Sequence, residues 1–451
     1  MLNVRTSLLC CNGLLWLFLA TTASAADQEL LDILLANGAI TQAQYEHLLR
    51  KPTLERADVD QVVVTLNEKG FRVKSADQAH EIKIGARLHA EAAAHRGDDS
   101  TGFDATDGTE LRRARMEMSG KFARFYQWAA EVDFADNDTA IKDFRIGYWG
   151  IDGAGITLGH QKQPYSLSLE MSSNDIAFIE RGIDAFLVAP IVDRAIGARV
   201  DWMSERWFAA AGVFGDSVSP PSFDSDADPA GVGDESWGMA GRLVFTPVRE
   251  ADRVVHIALR AAYRELQDSR PTLRLRDETT HFSNLRIVNT GALNGVSDVT
   301  LFGPEFAFAH GPLSVLGEYN MAKVDRPGDR SLDFDSWHLS AAYALTGETL
   351  ASAYRISSGE FGRLHPATKF GDNGGRGALE IAARLASIDL NDGPVTGGTE
   401  LALTTALNWY LNANSRLMFD WTRILDTDGS NTVRREAEGL DIFAIRAQYT
   451  Y

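Results

Sequence analysis

From residue 81 to its last residue the sequence repeatedly alternates apolar and polar side chains with period two. Ile82, Ile84, Ala86, Leu88 and Ala90 are interleaved with Glu81, Lys83, Arg87, His89 and Glu91. Ala114, Met116, Met118, Gly120 and Phe122 alternate with Arg113, Arg115, Glu117, Ser119 and Lys121. The pattern recurs through Trp128–Phe134, Ile196–Trp202, Val255–Tyr263 and Leu379–Leu385, and the chain closes on Phe443, Ile445, Ala447, Tyr449 and Tyr451. Successive side chains of a strand point to opposite faces, so runs of about 8–12 such residues predict strands with one apolar and one polar face. Some connections are short, such as Asp152-Gly153, Ser204-Glu205, His310-Gly311-Pro312 and Asn412-Ala413-Asn414. Others, at 93–109, 163–192, 216–235 and 266–297, are long. Short connections on one side and long ones on the other predict an all-β fold, a transmembrane antiparallel β-barrel of about 16 strands over 76–451. A soluble sandwich has shorter strands and more uniform turns. About seventeen runs qualify, but a barrel with both ends on one side needs an even number, and the surplus is expected in 347–399.

Composition fits. The formal net charge is −18, with 45% hydrophobic residues, and mean hydropathy is −0.17, near the neutral value an alternating barrel averages to. No stretch after residue 20 has ~18 consecutive apolar residues, which excludes a multi-helix membrane protein. An acidic chain lacks the basic footprint of a nucleic-acid binder. Residues 1–25 read as a secretory signal peptide: Arg5, the apolar stretch Leu8–Ala20, then Ala23-Ser24-Ala25 as a small-residue cleavage site. The only cysteines, Cys10 and Cys11, lie within it, so the mature chain is expected to have no disulfide and no thiolate chemistry. Residues 26–75 are expected to form an N-terminal periplasmic helical segment. Leu30, Leu31, Ile33, Leu34 and Leu35 precede a Gly38 cap, and Thr41 with Gln44 fits a capping box before Tyr45, Leu48, Leu49 and Pro52.

Several stretches carry a family resemblance. They are Leu30-Leu31-Asp32-Ile33-Leu34 with Asn37-Gly38-Ala39-Ile40-Thr41, Gly159-His160-Gln161-Lys162-Gln163-Pro164-Tyr165, and Phe178-Ile179-Glu180-Arg181. Leu345-Thr346-Gly347-Glu348, Gly377–Arg384 and Leu407-Asn408-Trp409-Tyr410-Leu411-Asn412 belong with them. The chain resembles the phosphate-selective porin O and P family of Gram-negative outer membranes over nearly its whole mature length. The resemblance implies a sixteen-stranded homotrimeric porin surrounded by outer-membrane lipid and lipopolysaccharide. It also implies a third long loop folded into the pore and passage of phosphate or other inorganic anions.

If the apolar faces meet lipid, the polar faces line the lumen. That puts Lys83, Arg87, Arg113, Arg115, Lys121, Arg145, Arg199, Arg242, Arg260, Arg264, Arg355, Arg384 and Arg446 inside, beside Glu91, Glu117, Glu131, Asp133, Asp143, Asp201, Glu318, Glu380 and Asp420. The wall is therefore mixed, and many of these residues are expected to be salt-bridged. Loop 163–192 is the constriction candidate, because Phe178, Ile179, Ile183, Phe186, Leu187 and Val188 make it too apolar to extend into water. The alternative is a loop lying over the rim or against a neighbouring subunit. The anion pathway is assigned to Lys162, Arg181, Arg194, Arg113, Arg115, Lys121, Arg145 and Arg199. Arginine grips oxyanions in pairs and keeps its charge, and cationic rings make anion-selective pores. The family selects phosphate with lysines as well as arginines deep in the pore; only 9 of the 44 basic residues here are lysine, and Lys121 is the best match.

The sequence has no P-loop, no H-E-x-x-H zinc motif and no nucleophile elbow, so no enzyme activity, cofactor or metal is expected. The acidic stretches 224–228 and 426–431 read as solvated loops, with calcium binding the rival reading. The expected function is a passive anion channel, for phosphate or polyphosphate. The alternatives are a porin of general or different selectivity, then an outer-membrane enzyme or adhesin.

Overall fold

The computed structural model describes residues 32–42, 44–45, 62–68, 70–97, 107–135, 138–218, 236–266, 272–277, 279, 281–282, 286–428 and 436–451. The expected leader, Leu48, Leu49 and Pro52, the acidic stretch 224–228 and residues 429–431 lie outside these. The chain divides into two units, Met1–Gln61 and Val62–Tyr451. In the first, a helical segment over 32–36 ends at Gly38, whose φ of +70° only glycine adopts at little cost. Thr41 N–H donates to Gln44 Oε1 at 2.9 Å and Gln44 N–H to Thr41 Oγ1 at 3.3 Å, a reciprocal capping box. Residues 63–74, expected within the helical segment, instead belong to the second unit and form a hairpin of β1 (Val63–Asn67) and β2 (Gly70–Lys74), with β2 pairing to residues 81–84.

The second unit is a closed antiparallel barrel of sixteen strands. They are β3 (Glu81–Arg96), β4 (Gly108–Phe122), β5 (Tyr126–Asp133), β6 (Ala140–Ile151), β7 (Ala154–Lys162), β8 (Arg194–Met203), β9 (Trp207–Phe214), β10 (Trp237–Arg249) and β11 (Arg253–Glu265). After a two-residue pair, β12 (Thr272–Leu273) and β13 (Leu293–Asn294), come β14 (Asp298–His310), β15 (Leu313–Asp325) and β16 (Leu332–Ala344). A second small pair, β17 (Tyr354–Arg355) and β18 (Glu360–Phe361), precedes β19 (Ala378–Asp392), β20 (Val395–Tyr410), β21 (Ser415–Thr427) and β22 (Asp441–Thr450). The last strand closes the ring on β3, with Ile445 opposite Ala92, and Ala86 exchanges backbone hydrogen bonds with Tyr451. One end carries turns of two to four residues; at Asp152-Gly153 the positive φ of Gly153 meets the demand of a two-residue hairpin.

The surplus seventeenth run is resolved in the expected region. Residues 345–377 do not span the wall. They form a long connection at the short-turn end, holding two 3-10 turns and the β17–β18 hairpin. Arg242 donates to its Ser358 and Gly359 carbonyls (3.2 and 2.8 Å), and the Tyr354 hydroxyl lies 2.9 Å from His256 Nδ1. Arg355, read from the sequence as a wall residue, therefore lies on this connection, bonded to Glu360 and Asp175.

Burial in the wall is inverted relative to a soluble protein. Leu88, Phe144, Leu158, Leu259 and Ile445 are exposed, while Arg242, Arg260, Glu305, Arg416 and Arg446 are almost fully buried. An apolar belt facing lipid and a polar interior explain both. A charge at mid-depth on the outer face is costly, so Leu259→Arg on β11 should lose about 2–4 kcal/mol in reversible unfolding from bilayers. A loss under about 1 kcal/mol would place that face in water.

Candidate functional site

The segment between β7 and β8 does not lie over the rim. It crosses the lumen, and wall side chains pair its backbone. Ser166 caps the helical turn Leu167–Glu170 and donates to Glu318 at 2.8 Å. The turn's free N–H groups point at wall carboxylates: Leu167 N–H to Glu305 (3.0 Å) and Ser168 N–H to Glu318 (2.7 Å). Its carbonyl end meets cations. Lys162 Nζ donates to the carbonyls of Leu169, Glu170 and Met171 (2.6, 2.7 and 3.2 Å), and Arg181 to those of Ser168 and Met171 (2.6 and 2.8 Å). Further on, Arg416 binds the Ile176 carbonyl at 2.9 Å, Asn408 that of Ala177 at 2.7 Å, and Asp420 accepts from Ile179 N–H at 2.8 Å. Asp184 meets His338 at 2.8 Å.

The following helix, Ala185–Val192, is apolar, and it buries Leu187, Val188, Ile191 and Val192 among lumenal Ala240, Ala262, Leu301, Phe334, Ile388 and Ile442. Leu275, Ile287, Val288 and Leu293, from the connection between β11 and β14, complete this cluster. Two loops thus fill part of the barrel with a hydrophobic core and leave a cavity beside it.

The cavity has a volume of about 210 Å³. Ile179, Ile183, Phe186 and Phe282 form an apolar side. The rest is charged: Arg112, Arg113, Arg115, Lys142, Lys162, Arg181, Arg194 and Arg384 against Asp133, Glu180, Asp193 and Asp420, eight cations to four carboxylates. Glu180 is the hub. It accepts from Arg113 at 2.8 and 3.2 Å, from Arg112 at 3.2 Å and from Arg446 at 2.8 Å. Burial pushes its carboxyl pKa up, but the three guanidiniums outweigh burial and hold it well below the ordinary range. Arg115 is bound to Asp133 (2.6 Å) and Glu131 (2.8 Å), and Arg194 lies 3.4 Å from Asp143. Lys142, Lys162, Arg181 and Arg384 contact no carboxylate among the described residues within 4 Å.

Five of the eight residues assigned from sequence, Arg113, Arg115, Lys162, Arg181 and Arg194, line this cavity. Three do not. Arg199 is buried between Glu170 (3.2 Å) and Asp201 (2.8 Å). Arg145 is exposed on the lumenal face of β6, and Lys121 is exposed at the short-turn end of β4, opposite Glu81. Sequence parity missed Arg112 and Lys142. Both stand at β-bulges: the β3–β4 register jumps between His89–Arg113 and Ala90–Leu111, and the β5–β6 register between Glu131–Asp143 and Val132–Ile141. Each bulge turns an extra cation inward. A signal was present, because strict alternation would have left both charges facing lipid.

A closed sixteen-stranded barrel with an apolar belt, a charged lumen and an inserted loop defines an outer-membrane porin, placed in the Gram-negative outer membrane. The model of the phosphate-selective porin O and P family matches residues 82–451, and the chain belongs to that family. Porin O of Pseudomonas aeruginosa is 25% identical over 425 residues, 86% of this chain and 92% of that protein. An uncharacterized protein of Caulobacter vibrioides is 30% identical over 336 residues, 72% of this chain and 64% of that longer relative. Among solved structures, an anion-selective porin from Comamonas acidovorans shares the fold with a TM-score of 0.52 at 11% identity, over 82% of this chain and all of that one. The loop-L8 deletion mutant of OmpT from Vibrio cholerae also scores 0.52 at 11% identity, over 83% of this chain and all of that one.

Glu180→Gln removes a negative charge from the cavity and keeps the shape. It should raise the anion-to-cation permeability ratio in planar bilayers; an unchanged or lower ratio would show that the cavity is off the conducting path.

Proposed function

We propose that this porin is a passive diffusion channel for inorganic anions, with phosphate or polyphosphate as its solute, and that it assembles as a homotrimer. The observation that carries the reading is the twofold excess of cations around the cavity. Among the described residues half of those cations have no carboxylate within 4 Å, so their field reaches the cavity. Lys162 and Arg181 give their N–H groups to loop carbonyls, which fixes their position without cancelling their charge. An oxyanion entering there meets Lys142 beside the carboxylate-bound guanidiniums of Arg112, Arg113 and Arg115, while the apolar side offers it nothing to hold. Several moderate contacts in series suit conduction better than one tight site. Family membership favours phosphate, and the scarcity of lysine favours a broader anion range. The wall carboxylates are largely engaged in ion pairs, which argues against a cation pore. No catalytic role is assigned to any residue.

Single-channel recording in a KCl gradient tests the sign. The reversal potential should report chloride over potassium, and phosphate should block the chloride current at sub-saturating concentration. Potassium selectivity would overturn the anion reading, and chloride current indifferent to phosphate would reduce it to a general anion porin. At ~8 Å and an effective dielectric of about 20, a unit charge is worth roughly 2 kcal/mol to a monovalent ion. Arg181→Glu should therefore lower the chloride-to-potassium ratio by about tenfold or more. An unchanged ratio would remove loop 163–192 from the selectivity mechanism.

A further inference from the structure

The connection between β11 and β14 borders the cavity with Thr279, His281 and Phe282, and its titratable side chains meet the wall at two places. At the first, His281 Nε2 lies 3.3 Å from Glu91 Oε2 on β3 and in closer contact with Glu110 Oε1 on β4. Arg112 and Glu180 also face this ring. Behind them Arg446 holds Glu91 at 2.5 Å and Arg113 holds Glu180 at 2.8 Å. At the second, Thr279 Oγ1 stands 2.6 Å from Asp277 Oδ2 and 3.2 and 3.1 Å from the two oxygens of Glu400 on β20. Both carboxyls are buried. A hydroxyl has one proton to give, so three carboxylate oxygens around it are satisfied only if the acid pair carries a proton of its own. Arg286, on the same connection, is the cation facing Asp277, and among the described residues no cation acts on Glu400.

We propose that this connection is a pH-sensitive strap. Two contacts that each need a proton, His281 with Glu91 and Glu110 and Asp277 with Glu400, tie it to the wall, and it slackens along the cavity edge as the pH rises. The two contacts titrate in the same sense. Burial disfavours the His281 imidazolium, but Glu110 and Glu91 outweigh burial and hold its pKa above the ordinary value. Burial also pushes the Asp277 carboxyl up, and its bonds to Thr279 and Val288 do not offset this. A group whose pKa is raised on folding stabilises fully below its ordinary value and lets go as the pH climbs through the raised one. Release therefore lies above ~4 for the acid pair and above ~6.5 for the imidazolium. Once the acid pair is fully ionised, two buried carboxylates repel each other. Other ties carry no titrating group: Asn289 N–H donates to the Gly397 carbonyl at 2.7 Å, and Leu275, Ile287, Val288 and Leu293 stay in the core. The strap thus slackens without leaving the lumen.

Hydrogen exchange of the full chain, folded in detergent and corrected for the chemical pH dependence of exchange, tests this. Asp277 N–H bonds the Val288 carbonyl and Val288 N–H bonds Asp277 Oδ1, both at 3.1 Å. These two amides should lose about tenfold or more of their protection between about pH 5 and about pH 9, while the amides of β10 and β11 keep theirs. Glu400→Gln keeps a donor beside Asp277 at every pH, and His281→Gln removes the imidazolium. Each variant, checked for the cold-SDS mobility of a folded barrel, should shrink that loss. Equal protection at both pH values would overturn the proposal. A loss of full size in both variants would assign the titration to other groups and overturn it equally. Because exchange is read without current, its failure is independent of the selectivity reading.

Discussion

Everything inside this barrel depends on wall side chains that hydrogen-bond the backbone of the β7–β8 loop. Irregular backbone at membrane depth is tolerated only where its N–H and C=O groups find partners. Here Arg416, Asn408, Asp420, Arg384, Glu305 and Glu318 supply them from β14, β15, β19, β20 and β21, one arc of the ring. The loop is thus bound across the lumen, and its apolar helix can pack on lumenal alanines and isoleucines. The cavity is what remains after that packing.

This explains how a chain of net charge −18 presents a cationic cavity. Lumenal carboxylates are engaged elsewhere. Glu305 is held by Arg242 and His256, Glu318 by Arg260 and the loop's helical turn, and Asp201 by Arg199. Cations gather where the loop's carbonyl end and two bulges bring them. A permeating ion responds to the local field along its path, which the overall balance does not report.

Much of the wall was legible as alternation, because a strand's faces are set by parity and lipid demands apolar contact on one of them. Parity correctly turned Arg242, Arg260, Arg416's neighbour Asp420 and Arg446 inward, and the capping residues Gly38, Thr41 and Gln44 behave as their chemistry requires. It failed at Arg112 and Lys142, because a bulge breaks the period that parity relies on. It also failed to separate residues that line the cavity from those that do not: Arg113 and Arg199 look alike in sequence and both are ion-paired, but of the two only Arg113 lines the cavity. The connection 345–377 holds the surplus run, in the region expected from sequence, for a different reason. Its short apolar stretches pack inside the barrel, where they carry strand-like patterning without spanning.

The central claim is that bulged and loop-held cations line the anion path, and Lys142 tests it most directly. The only cysteines in the chain are Cys10 and Cys11, inside the expected leader, so Lys142→Cys gives a single thiol in the mature barrel. Charged thiosulfonate reagents of matched size, added during current recording, should modify it. The account predicts that the anionic reagent reacts faster than the cationic one and reduces the current. A thiol that reacts faster with the cationic reagent, or is modified without changing the current, would contradict it.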